Sequence, residues 1–217
     1  MSSFLEGVVC IGQNREYITY NGTYKGVPVT IASHGVGGGG ASMAFEELIT
    51  AGGKIFIRAG TCGSLDPDYR EGSFMIVNGA VRRDGVTDNL VNREYPAVAH
   101  HRIVASLEDT AREHNVKYKV GFTVSEGCFY SGPLGDMNAF WQKANVASIE
   151  MEVSVLFVIA SIRKVHAGAI LNVDNYIFER LESTEGYKPH KEVVIQGNKK
   201  MGEIALDAII KVDVAKL

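Results

Sequence analysis

The stretch KIFIRAGTCGS, residues 54–64, joins a short apolar run to a glycine-rich segment that carries a charge. Residues 54–57 (KIFI) are short, rich in β-branched and aromatic side chains, and preceded by two glycines, as is typical of a buried strand. The segment RAGTCGS at residues 58–64 is predicted to be a turn at the carboxyl end of this strand.

Runs of the same kind alternate with helical patterns along the chain. The other predicted strands, all expected to be buried, are residues 27–32 (VPVTIA), 74–77 (FMIV), 119–124 and 167–173. Residues 98–113 and 192–212 place apolar side chains at i, i+3 and i+4 spacing, which predicts amphipathic helices. Shorter helices are predicted over residues 41–50 and 153–162. The alternation predicts an α/β fold in which helices cover both faces of a sheet.

The composition is that of a globular protein without a nucleic-acid-binding surface. The chain has 217 residues, of which 46% are hydrophobic and 22% are charged, with a net charge of −3 and a pI near 6.1. This balance excludes a disordered protein, and a single α/β domain of roughly 200–250 residues is ordinary, so one domain over residues 1–217 is predicted. The basic residues are dispersed, so we expect no nucleic-acid partner.

The cysteines and the N-terminal residues favour a reducing compartment. Cys10, Cys62 and Cys128 are odd in number and form no C-x-x-C pair, so neither a disulfide framework nor a zinc site is predicted. The first residues lack the pattern of a secretory leader, and no run approaches roughly 18 apolar residues. We therefore expect a soluble, cytoplasmic protein with no membrane partner. Residues 179–191 are predicted to form the one long loop.

Arg58 follows the predicted strand at its carboxyl end, where a charge is costly unless it meets an anion. Open α/β sheets bind ligands at this edge. The guanidinium of Arg58, the hydroxyl of Thr61 and the exposed backbone of the turn could together hold a tetrahedral oxyanion. The alternative is that Arg58 pairs with a structural carboxylate.

A second signal is the glycine run at residues 35–40 (GVGGGG), which holds five of the 24 glycines. It either forms a tight strand-to-helix turn or brings backbone N–H groups to an anion at a helix N-terminus. It matches neither the dinucleotide-binding fingerprint nor the P-loop. His34, beside this run, is interpreted as structural, and the six dispersed histidines show no metal-ligand spacing.

Three acidic residues in apolar surroundings complete the set of signals. Glu150 and Glu152 lie between a predicted strand and a predicted helix, and an extended chain places both on one side. A carboxylate can accept two vicinal hydroxyls, which favours a ribose; the alternative is a salt-bridged glutamate that caps the helix. Asp174 ends the run at residues 167–173. An apolar setting could raise its pKa enough for proton donation, although such an Asp is often a turn residue or N-cap.

Taken in order, these segments resemble the hexameric purine nucleoside and uridine phosphorylase family, in particular the purine nucleoside phosphorylases of parasitic protists. The resemblance is carried by the motifs NREY (14–17), SHGVG (33–37), EEL (46–48), RAGTCGSL (58–65), YPAVA (95–99), EMEV (150–153) and GAILNVD (168–174). It implies a three-layer α/β/α sandwich with a mixed central sheet. It also implies inorganic phosphate as co-substrate, with no metal and no organic cofactor.

The resemblance implies a phosphate site and a proton donor. Phosphate would bind Arg58, Thr61 and Arg15 of NREY, the last supplied by the neighbouring subunit. Asp174 would protonate or hydrogen-bond N7 of the leaving purine, so that Arg58 and Asp174 are the predicted catalytic pair. The implied assembly is a homo-oligomer whose functional unit is a dimer, with three dimers in a hexamer.

The resemblance further implies how the nucleoside is held. Glu152 would take the 2′ and 3′ hydroxyls of the ribose, with Met151 packed beneath the sugar. Phe129 would stack on the base, and Cys62 and Gly63 would line the base pocket together with Asp174.

One departure from the family pattern concerns the phosphate site. Family members have a first strand that enters a Gly-Asp-Pro-x-Arg turn, followed by a helix. Residues 7–12 (GVVCIG) resemble that strand, but Gln13 and NREY follow Gly12 directly, so that turn and its helix are missing. The upstream histidine that many members aim at a neighbour's ribose is missing too.

The predicted function is phosphate-dependent cleavage of inosine-type or guanosine-type nucleosides to a purine and ribose 1-phosphate, in purine salvage. A uridine phosphorylase is the first alternative, but residues 129–137 (FYSGPLGDM) lack the Gln and Arg expected to read a pyrimidine. A nucleoside hydrolase of the same fold is disfavoured by Arg58. A nucleoside-binding or inactive relative is the remaining alternative, because of the missing turn.

Overall fold

A computed structural model describes residues 1–179 and 191–213. The interior of the predicted loop at residues 179–191 lies outside the described residues. The strands are β1 (Glu6–Asn14), β2 (Tyr17–Tyr24), β3 (Val27–Ala32), β4 (Ile55–Ser64), β5 (Phe74–Arg83), β6 (Ala97–Val98), β7 (Tyr118–Glu126), β8 (Val146–Glu150) and β9 (His166–Tyr176). The α-helices are α1 (Gly38–Thr50), α2 (His101–Glu113), α3 (Asn138–Lys143), α4 (Val153–Arg163) and α5 (Glu192–Lys211).

The four predicted helices are confirmed, with shifted starts for two of them. α1 begins at Gly38 rather than at residue 41, because three glycines of the run at residues 35–40 enter the helix. α2 begins at His101 rather than at residue 98, because Val98 belongs to the short strand β6.

The central sheet is mixed and curls on itself. Its order is β6-β5-β7-β8-β4-β9, and β9 pairs back onto β5, so that five of the strands form a closed ring. The β4–β9, β5–β7 and β7–β8 pairs are parallel, whereas β4–β8, β5–β6 and β5–β9 are antiparallel. The mixed central sheet implied by the family resemblance is confirmed.

Helices cover the central sheet on both faces. The alternation of side chains along β5 shows why: Met75 and Val77 face a core shared with α1 and α4, whereas Phe74 and Ile76 face a core shared with α2 and α5. Both faces of the strand are therefore buried, as expected for parallel strands under two helical layers. The three-layer α/β/α arrangement is confirmed.

A second, three-stranded sheet stands apart from the central one. It has the antiparallel order β1-β2-β3, and every residue of β1 is exposed. The prediction that residues 27–32 form a buried strand was wrong about burial, because β3 pairs only with β2 and stays largely at the surface. β1 runs unbroken through Gly12 and Gln13, and Arg15 and Glu16 form the turn into β2.

The segment RAGTCGS is part of a strand, so the prediction of a turn there was wrong. β4 continues to Ser64 and pairs with β9 from Ile55 to Ser64 and with β8 at its end. Its glycines serve close packing instead: a Cβ at Gly63 would lie 2.2 Å from Cδ1 of Ile177. Glycine-rich composition here reflects crowding around a buried strand.

Candidate active site

A cavity of about 1160 Å³ opens where β4, β7, β8 and β9 end. Its position fits the rule that α/β sheets bind ligands at the carboxyl ends of parallel strands. Most of the predicted site residues line it, namely Arg58, Thr61, Cys62, Gly63, Phe129, Met151, Glu152 and Asp174. Arg15 is not among the lining residues; it is exposed in the turn between β1 and β2.

Arg58 is 8% exposed and meets two carboxylates. Its Nη2 donates to Oε2 of Glu152, and its Nη1 lies 3.5 Å from Oε2 of Glu150. Nε and Nη1 nevertheless have no hydrogen-bond partner. Both readings of Arg58 therefore hold in part: it is paired with carboxylates, and it keeps buried donors free for an acceptor.

Gly60 makes room for the guanidinium of Arg58. A Cβ at this position would lie 2.6 Å from Nη1 and 2.9 Å from Nη2 of Arg58. Only a residue without a side chain allows the arginine to fold back along its own strand in this way.

The two glutamates of the EMEV motif have separate roles. Oε2 of Glu150 accepts hydrogen bonds from the backbone N–H groups of Glu152 at 2.7 Å and Val153 at 2.9 Å, so Glu150 is the glutamate that caps α4. Glu152 faces the cavity and pairs with Arg58. Sequence reasoning noticed both carboxylates but assigned no separate role to Glu150; the E-x-E spacing at a strand-to-helix junction was the available signal.

The glycine run at residues 35–40 both forms a tight turn and presents a backbone N–H group, which are the two alternatives that its sequence allowed. Gly37 precedes α1 with a φ of 85°, in the left-handed region that favours glycine, and forms a tight strand-to-helix junction. Its N–H also donates to Oε1 of Glu152 at 2.5 Å. Glu152 is thus held at both oxygens, by a backbone N–H and by Arg58.

Asp174 is a candidate proton donor. Burial raises its pKa from an ordinary 3.8 to about 6, although a hydrogen bond from the Thr61 side chain acts in the opposite direction. Asp174 lies within β9, so its interpretation as a turn residue or N-cap was wrong. A carboxyl with a pKa near 6 can supply a proton at near-neutral pH.

The remaining predicted residues differ widely in exposure. Cys62 is 3% exposed, and its burial raises the pKa of its thiol well above the ordinary value, so this thiol is a packing group rather than a nucleophile. Phe129 is 63% exposed and lies at the rim, with its ring 5.0 Å from that of Tyr130. The cavity is therefore closed beside Cys62 and open beside Phe129.

The histidines that the structure describes are not placed to form a metal centre. Nδ1 of His34 lies 2.8 Å from the carbonyl oxygen of Gly35, and burial lowers the pKa of His34. His34 also lines the cavity, so its structural interpretation stays a prediction. The rings of His100 and His166 meet edge to face with centroids 4.6 Å apart, and the ring centroid of His101 lies 4.9 Å from that of His100. Within residues 1–179 and 191–213, no group of three or more His, Cys, Asp or Glu could hold a metal ion. The described part of the chain also contains no helix that is long and apolar enough to span a membrane.

Comparison with known proteins identifies the family. Residues 3–211 match the phosphorylase superfamily. The chain is 40% identical to the purine nucleoside phosphorylase of Plasmodium vivax, over 78% of this chain and 70% of that protein. It is 34% identical to the uridine phosphorylase of Treponema pallidum, over 83% of this chain and 74% of that protein.

Solved structures agree with these sequence relatives. The structure of purine nucleoside phosphorylase from Toxoplasma gondii in complex with immucillin-H superposes with a TM-score of 0.88 at 32% identity, covering 95% of this chain and 83% of that one. A uridine phosphorylase from Vibrio fischeri superposes with a TM-score of 0.89 at 28% identity, covering 97% and 85%. The chain therefore belongs to the phosphorylase superfamily and is a nucleoside phosphorylase, a pentosyltransferase that binds a nucleoside and phosphate as its substrates.

Proposed function

We propose that the enzyme is a purine nucleoside phosphorylase that converts inosine or guanosine and phosphate to the purine base and ribose 1-phosphate, in purine salvage. The observation that carries this proposal is the pairing, in one cavity, of Arg58 with unsatisfied buried donors and Asp174 with a pKa of about 6. The first suits an oxyanion, and the second suits a leaving group that needs a proton, as N7 of a purine does.

The substrates are assigned to opposite sides of the Arg58–Glu152 pair. Phosphate takes the free donors of Arg58 together with the hydroxyl of Thr61. The ribose hydroxyls take the carboxylate of Glu152, with Met151 beneath the sugar. The base lies toward Asp174, against Cys62 and Gly63, with Phe129 across it.

The reaction then needs only correct positioning of phosphate and nucleoside and stabilisation of the charges that develop on them. A phosphate oxygen forms a bond to C1′ as the C1′–N9 bond breaks, and the bonding electrons leave with the purine. Phosphate beside C1′ offsets the positive charge that develops on the sugar, and Asp174 gives its proton to N7, which neutralises the departing base.

The charges in one chain's cavity support a contribution from a second subunit. Arg58 faces two carboxylates, Glu150 and Glu152, so the cavity offers little net positive charge to a phosphate anion. Arg15 is exposed and outside the cavity. We propose that Arg15 completes the phosphate site of the neighbouring subunit in a homodimer, with three dimers forming a hexamer.

The Gly-Asp-Pro-x-Arg turn is absent between Gly12 and Gln13, and the proposal has to account for a phosphate site without it. β1 passes directly into the hairpin turn, so this single domain would close its phosphate site without that turn. Arg58, Thr61 and the neighbour's Arg15 would be its principal phosphate ligands.

The test is release of base from inosine, guanosine and uridine, with and without inorganic phosphate. We expect turnover of a purine nucleoside to require phosphate and to exceed that of uridine. Arg58→Ala should lower turnover on the order of 10²–10³-fold, because it removes the fixed cation of the phosphate site. Arg163→Ala, which removes an exposed arginine paired with Glu46 at the end of α4, is the matched control and should leave turnover unchanged.

Three other results would contradict the proposal. Equal turnover in phosphate-free buffer would indicate a hydrolase. A preference for uridine would indicate a uridine phosphorylase. Stoichiometric binding of inosine without turnover would indicate a binding protein or an inactive relative.

A further inference from the structure

Glu150 is a deeply buried cavity carboxylate to which the mechanism gives no substrate. Its side chain is only 2% exposed, and burial raises its pKa. A carboxylate removed from water in this way is costly unless hydrogen bonds and a counter-charge compensate it. The contacts that Glu150 makes therefore indicate what its burial achieves.

Both oxygens of Glu150 hold the junction between β8 and α4. Oε2 accepts from the N–H groups of Glu152 and Val153, and Oε1 accepts from the hydroxyl of Ser125 on β7. The Ser125 oxygen in turn accepts from the N–H of Ser154 at 2.9 Å. These two side chains thus satisfy N–H groups at the start of α4 that the helix itself leaves unpaired.

The same carboxylate reaches the two groups that face each other in the cavity. It binds the backbone N–H of Glu152, and its Oε2 lies 3.5 Å from Nη1 of Arg58. Fixing the backbone of Glu152 fixes the origin of its side chain, whose carboxylate then meets Gly37 and Arg58. A loose junction would let this carboxylate move by distances that matter for orientation.

We propose that Glu150 is a positioning residue that fixes Glu152 for the ribose hydroxyls through the backbone of the β8–α4 junction. The ribose assignment rests on the proposed function; the anchoring of the junction does not. The proposal separates the two glutamates of the motif: Glu152 touches the substrate, and Glu150 acts through Glu152.

A merely structural helix cap would affect stability without favouring one substrate. The positioning role predicts a split between substrates, because the backbone hydrogen bonds of Glu150 go to the β8–α4 junction on the ribose side. On the phosphate side Glu150 meets only Nη1 of Arg58, at 3.5 Å, and Arg58 keeps its pairing with Glu152 when Glu150 is replaced. The positioning role also predicts rescue by Gln, whose amide oxygen can accept the two N–H bonds while its NH₂ group faces the Ser125 oxygen.

The experiment compares Glu150→Ala with Glu150→Gln. Inosine binding is measured by calorimetry without phosphate, and KM is measured for inosine and for phosphate. For Glu150→Ala we expect inosine binding to weaken on the order of tenfold, with a clearly smaller change in the phosphate KM. For Glu150→Gln we expect inosine binding within about threefold of wild type, because the backbone hydrogen bonds are retained.

Controls separate this effect from loss of stability. Asp207→Asn alters another buried carboxylate, one that lies outside the cavity, and should leave both KM values unchanged. If Glu150→Ala does not fold, Ser125→Ala leaves Glu150 in place and removes the hydroxyl that donates to Glu150 and accepts from the N–H of Ser154, so it should weaken inosine binding by about threefold. A folded Glu150→Ala or Ser125→Ala that binds inosine like wild type would overturn the proposal, as would a Gln variant as impaired as the Ala variant.

Amide hydrogen exchange distinguishes this failure from failure of the proposed function. Exchange at the amides of residues 152–154 should accelerate in Glu150→Ala and not in Glu150→Gln, whatever the substrate is. If the wild-type protein binds no inosine, but exchange still accelerates in Glu150→Ala and not in Glu150→Gln, the proposed function is contradicted and the anchoring is retained. Unchanged exchange in Glu150→Ala would overturn the anchoring itself.

Discussion

The cavity and the three-stranded sheet are built in opposite ways. Around the cavity, buried polar groups such as Arg58, Glu150 and Ser125 are tied to one another across β4, β7 and β8. The three-stranded sheet exposes the whole of β1, including Val9 at 58% and Ile11 at 56%. Prominent among its links to the body is Asp207 of α5, which accepts from Tyr24 and Lys25 at the β2–β3 turn.

The two regions therefore differ in what they provide: the cavity is rigid, and the three-stranded sheet extends outward from the body. The cavity needs charged groups held at fixed positions, and a buried network supplies that rigidity because every member limits its neighbours. In the proposed dimer the three-stranded sheet only has to carry Arg15 at its tip, so its strands can remain exposed. If the comparison is correct, substitutions in the two regions will separate catalysis from stability.

The largest expected effect tests whether the exposed sheet serves another subunit's cavity. Arg15→Ala and Glu152→Ala chains should each be inactive alone. In a mixed dimer, one of the two sites has both residues intact, so each mixed dimer should recover about half of the wild-type activity and a random mixture of equal amounts of the two chains about a quarter. The measurement is turnover of inosine after the two chains are co-refolded and their assembly is verified by mass.

The stability of Arg15→Ala is the control for this experiment. Arg15 is exposed and in a turn, so its melting temperature should stay close to that of wild type. Mixed assemblies that recover no activity would place Arg15 in the site of its own chain. A fully active monomer would remove the shared site altogether.

The next effect concerns Asp174, where function and stability should change in opposite directions. Asp174→Asn should lower kcat for purine nucleosides by roughly 10²-fold, the scale of general-acid catalysis, with a smaller change in KM. For the wild type, activity that depends on the protonated carboxyl should fall as pH rises through about 6. Asp174→Asn should lose this limb of the pH profile, and full activity of the variant would contradict the donor role.

The stability of the same variant has a defined sign. Because folding raises the pKa of Asp174 from 3.8 to about 6, wild type loses stability as pH rises through this interval, where the buried group must ionise. The side chain of Asn does not titrate in this interval. The free energy of unfolding of Asp174→Asn minus that of wild type should therefore be larger above pH 6 than at pH 3.5. Urea unfolding at both pH values measures this difference in the free energy of unfolding. A difference that does not change with pH would show that burial does not raise the pKa of Asp174.

The sequence predicted which residues share the cavity better than it predicted local structure. Arg58 and Asp174 could be placed together because both lie on apolar runs that form neighbouring parallel strands, β4 and β9. Glu152 joins them because the end of β8 pairs with the end of β4. The extended conformation of RAGTCGS could not be predicted, because its two interior glycines favour turns unless neighbouring strands impose a hydrogen-bonded ladder. Here β9 and β8 impose one along β4.

Pairing partners were the second feature that the sequence left open. The pattern of residues 27–32 is that of a strand, but nothing in it specifies β2 as its only neighbour or exposure as its environment. The closure of β9 onto β5 is equally non-local. The separate roles of Glu150 and Glu152 depend on β8 ending at Glu150, a boundary that sequence patterns locate only within a few residues.

The smallest expected effect tests the attachment of the three-stranded sheet. The carboxylate of Asp207 accepts from Tyr24 at 3.0 Å and also meets Nε2 of His114 at 2.9 Å and Lys25, contacts that hold its pKa below the ordinary value. Asp207→Asn keeps the shape but loses the charge, so it should lower the free energy of unfolding at pH 7 by about 1–2 kcal/mol without changing turnover. Because the pKa is depressed by folding, this stabilisation is present above pH 4 and disappears as pH falls further, so the two proteins should converge in acid. Asp109→Asn, which alters an exposed carboxylate on α2, should change neither quantity. A turnover defect in Asp207→Asn would mean that the sheet's attachment reaches the cavity, and the separation of the two regions would then be wrong.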